Sequence, residues 1–369
     1  AKVVPVFKSG DKTLPSNYRP ISLTCTSSKL LEHIVHSKII YFLERNNFIF
    51  ENQHSCETQL CSLVHDLFSN ADLKCQTDAI FLDFSKAFDK VPHARLLHKL
   101  SFLNLPSNIL AWLTDFLHDR THFISVNGKL SSLAPVVSGV PQGSVIGPLL
   151  FSIFINDLPC GISSTVRLFA DDCVVYRRIT SSQDQAVLQR DLDLLNSWCH
   201  KWLMLLNLSK CCHVTFSRNP SRHMAQYYID GLSICSFAYY KYLGVVLSSD
   251  LTWNRHIQKI TLEASRSLGF LRSVLKIAPS SLKCLAYKSF VRPKIEYASS
   301  VWDPSLLYLA RNLEAVQNRA SRFIANEYSR YSSITEIKAT LGLSDLSLRR
   351  KLNRICLFHR IYHHISILR

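Results

Sequence analysis

The chain lacks any apolar stretch approaching the ~18 residues that a membrane-crossing helix needs. Its opening segment, Ala1–Pro20, also lacks a signal-peptide core, since the longest apolar run there is Val3–Phe7 with a proline inside it. Membrane insertion and secretion are therefore not expected. Zinc-ribbon spacing is missing too: the twelve cysteines include no C-x-x-C pair, and Cys211 and Cys212 are adjacent. The rest are scattered through apolar stretches, as expected of reduced thiols in an intracellular protein. Glycine is sparse, ten in 369 residues, so a local concentration of it needs a reason.

Negative charge is the other shortage. Asp and Glu total 27 against 43 Lys and Arg, a formal charge of +16. The imbalance is local: Arg255–Arg369 holds 20 basic and 7 acidic residues, which leaves 23 against 20 before it. A nearly neutral body followed by a basic third suggests a folded catalytic unit with a grip for a polyanion. Charged residues make up 19% and hydrophobic residues 47%, which excludes a disordered chain and supplies a sizeable core. Length alone allows one large domain or two to three average ones.

Apolar spacing predicts a helix over 28–45, with Ser27 and Ser28 placed to cap it, and further helices over 93–104 and 107–118. Residues 79–84 (AIFLDF) read as a buried strand, and 121–127 as a strand ending at an Asn127–Gly128 turn. A helix is expected over 148–158, after Pro148, and a strand over 239–247. Leu192, Leu195, Cys199, Trp202 and Leu206 mark one face of a long helix. Leu309, Leu313, Val316, Ala320 and Phe323 mark another, with Arg311, Arg319 and Arg322 outside the stripe. The pattern predicts an α+β domain over 1–248 and a basic helical domain over 249–369.

Three carboxylates stand in apolar surroundings. Asp83 lies inside Phe81–Phe84, and Asp171–Asp172 separates two apolar strand halves. An Asp-Asp pair at a hairpin tip is most often a plain turn, and an Asp in a strand can sit at an edge. If the two strands are neighbours, however, the carboxylates meet at one end of a sheet. Hard oxygen ligands of that kind hold Mg²⁺ together with phosphates, and two ions can drive phosphoryl transfer. Between them, Gly139, Gly143 and Gly147 place three of the ten glycines in one loop, as if it lay against something flat such as a base pair.

Phe169–Asp172, the FLDFSKAFDKVPH run of 81–93 and the SGVPQGSVIGPLLF run of 138–151 resemble reverse transcriptases of non-long-terminal-repeat retrotransposons, the jockey-like and chicken-repeat-like groups above all. The resemblance extends to residues 7–23 (FKSGDK…SNYRPISL), 201–211, 240–247 and 292–304, in family order. It implies a right-hand polymerase: fingers and palm with an antiparallel palm sheet, then an all-α thumb. Asp83, Asp171 and Asp172 would be catalytic and hold two Mg²⁺ ions, or Mn²⁺. Phe88 would lie under the sugar and exclude a 2′-hydroxyl; Gln142 and Gly143 would pack on nucleotide and template. Arg19, with Lys8 and Lys12, would face the triphosphate, and Lys210 would protonate pyrophosphate. The segment 240–247 would grip the primer. The thumb, with Arg319 and Arg322, would track an RNA–DNA hybrid by its phosphates.

The implied activity is RNA-directed DNA synthesis from an RNA template, a DNA primer and deoxynucleoside triphosphates. The implied setting is nucleus and cytoplasm, as a monomer or in a ribonucleoprotein. Two features depart from the family. A Gly-Phe-Arg-bearing stretch normally follows Asn52–Gln53–His54, whereas here Ser55 follows directly. The chain also begins inside the polymerase region, with no endonuclease ahead of it, as a fragment or a decayed copy would. An impaired remnant that still binds RNA or hybrid is the alternative, and a maturase-like splicing cofactor a third reading.

Overall fold

Seven consecutive buried residues, Gln76–Leu82, lead into Asp83, the pattern of a strand covered on both faces. Such a strand belongs at the centre of a sheet, and in the computed structural model of the chain that is its place. The structure describes residues 1–46, 48, 55–219 and 222–364. Their strands are β1 (Lys2–Phe7), β2 (Tyr18–Leu23), β3 (Gln76–Asp83), β4 (Thr121–Val126), β5 (Lys129–Leu130), β6 (Ala134–Pro135), β7 (Thr165–Phe169), β8 (Asp172–Ile179), β9 (Cys212–Phe216), β10 (Tyr228–Ile229), β11 (Leu232–Ser233), β12 (Cys235–Ser236), β13 (Tyr239–Tyr242) and β14 (Val245–Ser248). The helices are α1 (Thr26–Arg45), α2 (Cys56–Asp72), α3 (His93–Ser101), α4 (Ser107–Leu117), α5 (Ile146–Ile155), α6 (Ser182–Trp202), α7 (Asn254–Val274), α8 (Ser280–Ala286), α9 (Arg292–Glu296), α10 (Leu307–Ala325), α11 (Ile334–Thr340) and α12 (Leu346–His364).

Two compact units divide the chain without following its order. One comprises residues 1–52, 78–213 and 223–236; the other comprises 53–77, 214–222 and 237–369. In the first, one sheet runs β12-β9-β3-β8-β7 and a second runs β2-β1-β4-β5, with β6 on β4. The β7–β8 and β1–β2 pairs are antiparallel, whereas β12 lies parallel to β9 at the edge. Helix α5 is almost wholly apolar, and eight of its ten residues are buried in the core that also holds Ile80, Leu82, Leu96 and Val175. Helix α6 starts from a capping box, Ser181 with Asp184, and buries Leu188, Leu192, Leu195 and Cys199. It ends at Trp202, so Leu206 of the predicted stripe lies beyond it. Lys99 is buried with its ammonium 3.8 Å from the centre of the Trp202 ring and beside Trp198, Phe154 and the Asp157 carboxylate. Aromatic faces and one carboxylate replace the water it lost.

The second unit is helical from Asn254 onward, apart from short connections. The α10 stripe Leu309, Leu313, Val316, Ala320 and Phe323 is buried throughout, as its spacing predicts. Trp302 and Tyr287 are also fully buried in this unit. Much of the positive charge is matched internally: Glu296 pairs with Arg349 and Arg292, Asp303 with Arg350 and Arg354, and Lys338 with Glu314 and Asp345.

Three local expectations need correction. Cys25, not Ser27 or Ser28, caps α1, its sulfur accepting the Ser28 N–H at 3.4 Å. Helix α5 starts at Ile146, so Pro148 falls inside its first turn instead of opening it. Residues 239–247 do not run straight; Leu243 and Gly244 adopt positive φ and turn the segment into the β13–β14 hairpin.

Candidate active site

Asp83 ends β3, and β8, its neighbour in the sheet, begins at Asp172. The β7–β8 hairpin pairs Phe169 with Asp172 across a two-residue turn, Ala170–Asp171. Ala170 takes a left-handed conformation there, φ 51°, which a residue with a Cβ adopts only at a cost of about 1–2 kcal/mol. The turn lifts Asp171 into solvent and leaves Asp172 partly buried. Burial first, then the charges of Asp171 and Asp83, push the Asp172 carboxyl up to about 6. The three acids therefore share one electrostatic field.

Cations face that field. Lys210 Nζ stands 3.6 Å from Asp83 Oδ2. Asn207 sets this geometry: its N–H donates to the Asp83 carbonyl at 2.7 Å, and its own carbonyl accepts the Lys210 and Cys211 N–H groups. A bridge between Phe84 and Leu206 and a bond from the Ser85 N–H to the Leu205 carbonyl extend the contact. Among the three basic residues of 7–23, Lys8 is the one whose charge opposes the rise at Asp172. Arg19 is exposed on β2 opposite Val6, and Lys12 lies 5.6 Å from the centre of the Phe7 ring.

Asp83, Asp171 and Asp172 offer hard oxygen donors of the kind that can hold a divalent cation. Among the described residues no three His, Cys, Asp or Glu side chains already form a cage for an ion. Mg²⁺ commonly binds through one or two carboxylates and completes its shell with substrate phosphates and water. A crowded acid held near 6 is the matching observation, because it is short of positive charge.

The glycine-rich loop makes close approaches within the protein itself. A Cβ on Gly139 would lie 2.7 Å from the Asp89 carbonyl oxygen, on Gly143 2.5 Å from that of Ser22, and on Gly147 2.6 Å from that of Pro141. The close approaches that require glycine are thus to the protein's own backbone. The loop is bolted to the 88–93 segment: the Val140 N–H donates to the Phe88 carbonyl at 2.7 Å, and Gln142 Nε2 to Asp89 Oδ1 at 2.8 Å. Phe88 itself is half-buried and stacks on Phe151 with ring centres 4.5 Å apart.

Glu32 escaped the sequence reading. Fully buried on α1, it accepts the Val145 N–H at 2.6 Å and so holds the N-terminal end of α5 behind the loop. An acid inside the apolar face of a predicted helix was the available signal. In the other unit, Arg319 donates to Ser265 Oγ at 2.9 Å, and Arg322 donates to the carbonyls of Ser329 and Ser332. Residues 49–54, at whose junction with Ser55 the resemblance implies a shortening, lie outside the described residues.

The family described as reverse transcriptase (RNA-dependent DNA polymerase) matches residues 7–247. The RNA-directed DNA polymerase from mobile element jockey of Drosophila melanogaster is 32% identical over 323 residues, 82% of this chain and 35% of that protein. The probable RNA-directed DNA polymerase from transposon X-element of the same organism is 29% identical over 326 residues, 84% of this chain and 36% of that one. The chain therefore spans about a third of the length of these relatives. Among solved structures, apo telomerase from Candida tropicalis shares the fold, with a TM-score of 0.51 and 11% identity over 99% of this chain and 67% of that one.

Proposed function

Because the chain belongs to the reverse transcriptase family, we propose that it extends a DNA primer on an RNA template with deoxynucleoside triphosphates. The observation that carries the reading is the trio Asp83, Asp171 and Asp172 at one end of the sheet, with Lys210 3.6 Å from Asp83. In this reading residues 1–248 supply fingers and palm, and 249–369 the thumb. The primer 3′-oxygen bonds to the α-phosphorus, the bond to the bridging oxygen breaks, and pyrophosphate leaves. Two Mg²⁺ ions held by the three carboxylates would acidify the 3′-hydroxyl and neutralise the leaving oxygens. Lys210 would give a proton to pyrophosphate, while Lys8, Lys12 and Arg19 would neutralise the triphosphate. Gln142 and Gly143 would pack on nucleotide and template from the outer side of the loop. The protein would act inside the cell, in nucleus and cytoplasm, as a monomer or within a ribonucleoprotein.

Nucleotide choice tests this assignment. The wild-type chain should add dTTP to oligo(dT) on poly(rA) and reject UTP, whereas Phe88→Ala should admit UTP. Equal rejection of UTP by both proteins would remove Phe88 from the sugar site.

The proposed thumb has its own test. Arg322 also ties down the segment 329–332, so Arg319 is the cleaner probe. Arg319→Gln should weaken hybrid binding alike for all sequences and reduce the salt slope by about one. A change confined to some sequences would show base readout, and no change would show a solvated side chain. The impaired-remnant reading is favoured by one observation, the direct junction of His54 to Ser55.

A further inference from the structure

The β13–β14 hairpin is held at two points by side chains from outside it. Its turn places Leu243 at φ 42° and Gly244 at φ 88° between the paired residues Tyr242 and Val245. Two positive φ values define a tight turn that normally takes Asn or Gly first, so Leu243 is strained and needs support. Tyr297, just after α9, supplies it: its hydroxyl donates to the Leu243 carbonyl at 2.9 Å, and its ring sits where a Cβ on Gly244 would be 2.8 Å away. Burial and the neighbouring Cys56 raise that hydroxyl to about 12, so it stays a donor.

The second hold is on the strand. Tyr242 and Val245 flank the turn, so the next pair, Lys241 and Val246, points its backbone groups away from the partner strand. His256 on α7, buried to 1% exposure, takes up the Val246 N–H with Nδ1 at 3.2 Å. An accepting Nδ1 puts the ring proton on Nε2, which has no hydrogen-bond partner among the described residues. The ring meets Trp302 edge-on at 4.8 Å. Burial, with Lys259 and Lys241 nearby, lowers the imidazole to about 4, so the acceptor persists at neutral pH. On the other side the hairpin shows Tyr239 and Lys241 to solvent, with the Arg255 guanidinium 4.8 Å from the Tyr239 ring centre.

We propose that Tyr297 and His256 are positioning residues that clamp the hairpin at its turn and at Val246, so that Tyr239 and Lys241 meet the phosphates at a primer end as a rigid edge. The proposal rests on the polymerase reading for its substrate, but not for its clamp. The test uses the full chain with Tyr297→Phe, His256→Leu and His256→Asn, the last keeping an acceptor near the place of Nδ1. Three quantities are read: hydrogen exchange of the 243–248 amides, affinity for a poly(rA) hybrid with a recessed oligo(dT) end, and KM for dTTP. Tyr297→Phe and His256→Leu should speed exchange and weaken the recessed-end hybrid about tenfold, as loss of one hydrogen bond allows. KM for dTTP should stay put, and His256→Asn should restore both properties. Unchanged exchange in Tyr297→Phe would overturn the clamp, as would His256→Asn as defective as His256→Leu. Tyr297 is partly exposed, so its variant keeps the test decisive if a His256 variant misfolds. Exchange reads the clamp even in a chain that extends nothing, which separates its failure from failure of the polymerase reading.

Discussion

Asp171→Asn is expected to leave the protein folded and to reduce nucleotide addition to background. Asp171 is exposed at the tip of the β7–β8 turn, so the amide disturbs no packing. What it removes is one charge from a cluster whose proposed role is to hold cations against phosphate. Charge stabilisation of that kind is worth several kcal/mol in a transition state, and each 1.36 kcal/mol is tenfold in rate. A fall of about a hundred- to a thousandfold follows. Circular dichroism and the unfolding temperature should match the wild type. Activity above a few per cent in a normally folded variant would dissociate Asp171 from the chemistry.

Asp172→Asn should do something the other substitution does not: stabilise the metal-free protein. The Asp172 carboxyl is held at about 6 against an ordinary 3.8, by burial first and then by Asp171 and Asp83. A carboxyl raised on folding contributes stability that is complete below its unfolded value and lost as pH rises through the folded one. The window is therefore 3.8 to about 6. Because the side chain is partly exposed, the loss is of order 1–2 kcal/mol, or a few degrees in unfolding temperature. The amide carries no charge, so the variant should unfold at a higher temperature than the wild type at pH 7.5, with the gap closing as pH falls towards 4. Mg²⁺ should raise the wild-type temperature more than that of the variant. A wild-type pH dependence that the substitution leaves unaltered would show that Asp172 is not the strained group. On the proposed reading the site would store instability that cations relieve, the usual exchange of stability for function.

The legible parts of this protein were those written in local pattern. An acid in a buried strand, an Asp-Asp turn and a stripe at Leu309–Phe323 each have a short-range signature, and the structure places them accordingly. Long-range arrangements had none. Nothing in Lys8 announced that its charge would act on Asp172, nor in Asn207 that it would dock Lys210 beside Asp83. Glycine density pointed to close approach but not to what was approached, and the answer was Asp89, Ser22 and Pro141. Residues 53–77 group with the C-terminal helices although most of the first unit follows them in sequence. The net charge of the C-terminal third overstated its free cations, because Glu296, Asp303 and Glu314 absorb several of them inside the unit.

Extension of oligo(dT) on poly(rA) by the chain as it stands, followed across a dTTP titration with Mg²⁺ present, tests the central claim most directly. An intact carboxylate trio and its lysine predict processed primer at micromolar dTTP, abolished by Asp171→Asn. Hybrid bound tightly with no primer extended at any dTTP concentration would contradict it, and would mark the chain as a remnant that kept the fold and lost the reaction.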